Sequence, residues 1–215
     1  MIAYASNTQG KRNLDALKAA NWRILVSPGK HMNPPAGFRF AIDNGAWPCF
    51  KNNLPFDHEG FTELIEIHGG AADFVVIPDI VAGGMKSFEF SLSWLDRLKH
   101  FHRILFAVQD GMITDDVGAL LERVPNMGLF LGGSTEYKLK MMYGWGMVTH
   151  ALRRYYHVGR VNSMRRIKLC AEAGANSFDG TSATMYSDSL PNLERARRQR
   201  HMLTPESGVC VQIQS

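Results

Sequence analysis

The sequence predicts a compact α/β protein, a single-domain (β/α)8 barrel of the TIM type. Short apolar runs recur along the 215 residues, stretches of helical period separate most of them, and most stop at a turn carrying a polar residue or glycine. About eight such runs alternating with helices is the pattern of parallel strands closed into a barrel. The chain is shorter than the roughly 250 residues typical of that fold. Short connections, and a missing helix between the second and third strands, account for the difference. A doubly wound open sheet is the alternative architecture.

Ile2–Ala5 reads as the first strand and Lys11–Ala20 as a helix with Leu14, Leu17 and Ala20 on one side. Arg23–Ser27 is the second strand, ended by Pro28-Gly29, and Lys30–Gly37 reads as a loop. Phe38–Ile42 is the third strand and stops at Asp43-Asn44-Gly45. Phe61, Leu64, Ile65 and His68 then share a helical face, Asp73–Ile77 is a buried strand, and Pro78-Asp79 closes it. Ser87–Leu98 reads as a helix and Ile104–Val108 as a strand ending at Gln109-Asp110-Gly111. Thr114–Arg123 is a helix with a Thr or Asp as its candidate cap, and Met127–Leu131 is a strand ending at Gly132-Gly133. Thr135–Leu152 is helical, with a candidate break at Gly144-Trp145-Gly146. A strand from Tyr155, a basic helix and a strand at Asn176–Phe178 lead to Asp179-Gly180-Thr181. The last helix, Leu190–Met202, carries Pro191 in its first turn. The tail Gly208–Ser215 alternates apolar and polar residues and reads as an edge strand or as disordered.

Composition, 45% hydrophobic and 20% charged, is that of a soluble globular protein. No apolar run has membrane-spanning length, and MIAYASNTQGKRN lacks the features of a secretory leader. Cys49, Cys170 and Cys210 are scattered and odd in number, which suits free thiols in a reducing compartment, so the cytoplasm is the expected location. A net charge of +4 permits a nucleic-acid partner without requiring one. One basic cluster is Arg153, Arg154, Arg160, Arg165, Arg166 and Lys168; a second is Arg195, Arg197, Arg198, Arg200 and His201. Both flank Asp179, where they can hold a polyanion or form solvated helix faces.

Catalytic groups of parallel barrels collect at the carboxyl ends of the strands. Those ends carry Asp43, Asp79, Gln109, Gly132, Gly133, His157 and Asp179. A carboxylate can accept the N1–H and exocyclic amine of guanine, a carboxamide can bind its other polar edges, and a Gly-Gly backbone can donate an amide to O6. Two further carboxylates supply a nucleophile and a proton carrier. Each residue also has a plainer account. Asn44-Gly45 and Asp179-Gly180 are turn signals, although Ala46-Trp47-Pro48 makes a poor partner strand, and His157 inside an apolar strand fits a hydrogen-bonded core histidine.

FAIDNGAW resembles the segment of the queuine/guanine tRNA transglycosylases that carries their base-proximal acid. AVQDG is similar to their Ala-Val-Gln-Gly-Gly and LFLGGSTE to their Leu-Gly-Gly segment. YHVGR with GANSFDGTSAT resembles their Met-Gly-Val-Gly segment and the Phe-Asp motif of the nucleophile. The matches keep the family's order over about residues 38–190. HVGRVNS and SFDGTSAT look most like the compact branch that acts on DNA, the 7-deazaguanine DNA transglycosylases, DpdA-like proteins.

The resemblance implies Asp179 as nucleophile and Asp43 as proton carrier, with Asp79, Gln109, Gly132, Gly133 and His157 holding the base. Arg160, Arg165 and Arg166 would meet nucleic acid, and Trp47, Tyr155 and Tyr156 are candidate stacking groups. DNA is the expected polymer, with RNA the alternative, and a free 7-deazaguanine base is the second partner. No diffusible cofactor and no membrane partner are implied, and a homodimer stays open. Only Cys210 stands where the tRNA enzymes hold a three-cysteine, one-histidine zinc site, so no structural zinc and no zinc subdomain are expected. Asn44 and Ala46 replace the family's Ser and second Gly. Two other classes remain: a non-catalytic nucleic-acid-binding barrel, and a phosphate-binding barrel enzyme for a small metabolite.

Overall fold

The computed structural model describes residues 1–29, 31–185 and 187–199. Its apolar runs form eight parallel strands: β1 (Ile2–Ser6), β2 (Arg23–Val26), β3 (Phe40–Ile42), β4 (Val75–Val76), β5 (Ile104–Val108), β6 (Met127–Leu131), β7 (Tyr156–Val158) and β8 (Ser177–Gly180). They pair in sequence order, and β8 closes on β1 through Ala3 opposite Phe178 and Tyr4 opposite Asp179. Closure leaves no sheet edge to protect. The expected barrel is therefore the observed one, and the open sheet is excluded.

Side-chain alternation along the strands makes two apolar layers. Tyr4, Leu25, Ala41, Phe74, Val76, Leu105 and Ala107 fill the barrel, with Phe130 and Tyr155 against them. Their sequence neighbours, such as Ala3, Ile24, Val75, Phe106 and Phe178, face outward and pack under the helices.

Those helices are α1 (Lys11–Ala19), α2 (Ala46–Lys51), α3 (His58–His68), α4 (Met85–Ser93), α5 (Leu95–Leu98), α6 (Thr114–Arg123), α7 (Thr135–Ala151), α8 (Met164–Glu172), α9 (Ser182–Met185) and α10 (Leu190–Arg198). As expected, no helix joins β2 to β3 among the described residues.

Several local expectations are corrected. The helix expected at Ser87–Leu98 is two helices meeting at Trp94, whose ring is anchored against Phe56, His58 and Phe61. No side chain caps α6, because Ile113 occupies the capping position; Asp115 and Asp116 instead lie in the first turn, where negative charge favours the helix amides. α7 runs unbroken through Gly144-Trp145-Gly146. Gly146 serves close packing, since a Cβ there would stand 2.1 Å from the Ala173 carbonyl oxygen. Helix α2 was not expected; the chain enters it through Gly45 at φ 77°, where a side chain would also strike the Pro28 ring. β8 continues past Phe178, so Asp179 lies inside the strand and not beyond it. Lys30, Arg200, His201, Cys210, the expected end of the last helix at Met202 and the tail Gly208–Ser215 lie outside the described residues.

Candidate active site

Parity along the strands determines what enters the barrel mouth. Ser6, Ser27, Asp43, Gln109, Gly132 and Asp179 each lie two residues beyond an inward-facing position, and all line one cavity at the carboxyl ends of the strands. The cavity measures about 200 Å³. Leu25, Val76, Ala107 and Phe130 give it an apolar floor, and its walls include Asn44, Trp47, Asp79, Gly133, Arg160 and Thr181.

Asp179 is 7% exposed and held from two sides. His157 Nε2 lies 3.0 Å from its Oδ1, and the Arg160 backbone N–H donates to Oδ2 at 3.2 Å. His157 Nδ1 in turn lies 2.7 Å from Ser177 Oγ. The imidazole is fully buried, stacked on Phe130 with ring centroids 4.8 Å apart, and does not line the cavity. His157 thus lies beneath Asp179 as a hydrogen-bonded core histidine and is not part of the cavity wall.

Asp43 accepts from Ser27 Oγ at 3.1 Å and from the Gly45 N–H at 3.3 Å. Desolvation, then the nearby charges of Asp179 and Asp79, raise its pKa to about 6. Asp79 accepts from Asn44 Nδ2 at 2.8 Å and Gln109 Nε2 at 3.1 Å, yet desolvation raises it also to about 6. Gln109 Nε2 further meets the Ile80 carbonyl at 2.9 Å and Ser87 Oγ at 2.8 Å. With the amide nitrogen among acceptors, the Gln109 carbonyl oxygen has no protein partner among the described residues.

Asn44, the departure noted in the sequence, ties β3 to β4: its Nδ2 also donates to the Ile77 carbonyl at 2.8 Å, and its Oδ1 accepts from the Ala46 N–H at 2.9 Å. At the glycine pair, the Gly132 N–H is spent on the Val108 carbonyl at 2.8 Å, so only the Gly133 N–H remains to donate to a ligand. Asp110 does not line the cavity and instead accepts from the backbone N–H and hydroxyl of Ser134 at the start of α7, each at 2.7 Å.

Among the described residues Arg160, at φ 57°, is the arginine that lines the cavity. Its guanidinium lies 4.1 Å from the Trp47 ring centroid and donates to the Gly133 carbonyl. Trp47 is 39% exposed and stacked with Phe50, which places an aromatic lip at the mouth. Arg165 and Arg166 begin α8 near this rim but do not line the cavity. The other expected contacts are dispersed. Tyr156 is buried with its hydroxyl on the Met142 carbonyl, while Tyr155, Arg153 and Arg154 line a cavity at the opposite end of the barrel. Arg197 and Arg198 pair with Glu194. Among the described residues Arg153, Arg154, Arg197 and Arg198 are thus engaged away from Asp179.

Sequence reasoning missed Ser6, Ser27 and Lys138. The first two were findable by counting two residues on from Tyr4 and Leu25. Lys138 is 5% exposed and donates to the Gly159 carbonyl at 2.7 Å, bracing the loop that supplies the Arg160 N–H; burial, then the Arg160 charge, depress it to about 8. Nothing in the local sequence of α7 singles it out. Among the described residues no group of three or more His, Cys, Asp or Glu side chains is arranged to hold a metal ion, and no helix is long and apolar enough to cross a membrane. No protein-family model matches the chain, and no curated protein matches it.

Proposed function

We propose that the chain is a base-exchange transglycosylase that replaces guanine in DNA with a 7-deazaguanine, the 7-cyano form being the expected incoming base. One observation carries the reading: Asp43, Asp79 and Asp179 share one small cavity, two of them with pKa raised to about 6 and the third oriented by a buried histidine. The volume, below the roughly 300–1,000 Å³ of pockets for drug-sized ligands, suits a single heterocycle. Sugar and phosphate then lie at the mouth, so the target nucleotide must be flipped or single-stranded.

In this mechanism Asp179 attacks C1′ of the nucleotide through an oxocarbenium-like transition state. The C1′–N9 bond breaks, its electron pair leaves with guanine, and the Asp43 carboxyl delivers a proton to the departing base. The incoming base gives its N9 proton to the Asp43 carboxylate, and N9 attacks C1′ and displaces Asp179. A carboxyl near pKa 6 is suited to both transfers close to neutral pH. Asp79, Gln109 and the Gly133 N–H offer acceptors and a donor to the base edges, and Trp47 offers a stacking surface for a flanking base. The base pocket favours exchange over hydrolysis by positioning a second base, and not water, on the intermediate.

The test is incubation with guanine-containing DNA and labelled 7-cyano-7-deazaguanine, with tRNA in a parallel reaction. Label is expected in DNA. Label in tRNA alone transfers the reading to RNA, and label in neither overturns it in favour of a non-catalytic binding barrel.

A further inference from the structure

A second cavity opens at the amino ends of β5 to β8, the end of the barrel away from the carboxylates. It measures about 890 Å³, and its lining includes Arg103, Arg153, Arg154, His102, His150 and Tyr155. Among the described residues no Asp or Glu lines it. Among the described residues no carboxylate lies within ion-pairing distance of the three guanidinium groups.

Two of these groups are fixed by the fold. Arg154 donates through Nε, Nη1 and Nη2 to the carbonyls of Leu121, Pro125 and Glu122 at 2.9, 2.6 and 3.3 Å, which leaves two of its five N–H bonds unspent. Arg103 lies 4.3 Å from the Tyr155 ring centroid and reaches the Asp73 carbonyl at 3.4 Å.

The third is placed at the expense of strain. α7 ends with the Arg153 N–H on the His150 carbonyl at 3.1 Å and the Arg154 N–H on the Thr149 carbonyl at 2.7 Å. This is the two-bond helix ending whose left-handed position is usually glycine. Here Arg153 occupies it at φ 53°, a conformation unfavourable for a residue with a Cβ. Its guanidinium has no protein partner among the described residues.

We propose that this cavity binds a phosphoryl group, with Arg103, Arg153 and Arg154 as its ligands. A phosphoryl group presents three oxygens and up to two negative charges to three guanidinium forks, whereas a carboxylate offers two oxygens and one charge. The site is independent of the transglycosylase reading, since it shares no residue with the carboxylate cavity.

Isothermal titration of the full chain with inorganic phosphate, pyrophosphate and a short oligothymidylate tests it. The oligothymidylate contains no guanine and so presents no target to the other cavity. Whichever arm binds identifies the source, a small phosphorylated molecule or a nucleic-acid backbone. Arg153→Gly removes the fork and relieves the backbone strain together. It is expected to weaken binding at least about tenfold while the Tm stays level or rises, a combination that damage to the fold does not produce. Arg103→Gln serves as the second variant and is expected to weaken binding in the same arm. The proposal is overturned if no probe binds at millimolar concentration, or if both variants bind as the wild-type chain does.

Discussion

At the amino end of the barrel, Asp73 is 8% exposed and receives Arg23 at 2.8 Å, Arg39 at 2.5 Å and the Tyr4 hydroxyl at 2.9 Å. At the carboxyl end, Asp43 and Asp79 accept only neutral amides and a hydroxyl, and among the described residues no lysine or arginine pairs with either. One end thus neutralises its buried acid, while the other leaves two acids desolvated and raised to about 6. The difference separates a carboxylate used to fasten strands from carboxyls whose protonation is free to change near neutrality. Parallel barrels divide the same way, with catalysis at the carboxyl ends and stability at the amino ends.

The largest effect that tests the contrast is at Asp179. Asp179→Asn keeps the side chain's shape but removes the proposed nucleophile. Exchange should fall at least about a thousandfold, and a denaturant-stable protein–DNA adduct should vanish; an adduct that persists moves the nucleophile elsewhere. Asp73→Asn should do the reverse. Breaking its pairing with Arg23 and Arg39 should cost about 3 kcal/mol in urea unfolding, with exchange per folded molecule unchanged. A loss of exchange there would erase the distinction between the two ends.

His157→Gln sharpens the contrast from inside the carboxyl end. Removing the imidazole from Asp179 Oδ1 should slow exchange about ten- to a hundredfold. The Kd for the incoming base should not change, since the histidine lies outside the cavity wall. A weaker Kd with an unchanged rate would return His157 to base binding.

The smallest effect is on stability against pH. Asp43 and Asp79 have folded pKa values raised from 3.8 to about 6, so the folded state holds these protons more tightly than the unfolded chain. Their contribution to stability is fully present below about pH 4 and is lost as pH rises through about 6. The Asp43→Asn, Asp79→Asn double variant should therefore lose less stability than the wild-type chain between pH 4 and 7. Equal slopes in parallel unfolding titrations would mean that the two acids are not desolvated as a pair.

Much of the barrel was legible because its signal is local. Ile104–Val108 and Met127–Leu131 match their expected bounds, since a run of apolar residues ended by a turn needs no distant partner to be recognised. Helix α2 was hidden by Pro48 and by Asn44-Gly45, which read as turn chemistry until Gly45 is seen to start a helix. The candidate site was half legible. Asp43, Asp79, Gln109 and Asp179 were named from the ends of strands, but the burial of His157 and the loss of the Gly132 amide to Val108 depend on register.

By itself the sequence determined the order of the strands and of most helices, and the presence of acids at or near the carboxyl ends of strands. Both follow from period and punctuation, which are properties of neighbours along the chain. Tertiary structure alone decided which acids are paired and which are left desolvated, and that the arginines around residues 153 and 160 belong to opposite ends of the barrel. Charge compensation is a matter of distance in space, and only closure of eight strands brings residues 43, 79 and 179 into one low-dielectric cavity while placing Arg23 and Arg39 beside Asp73.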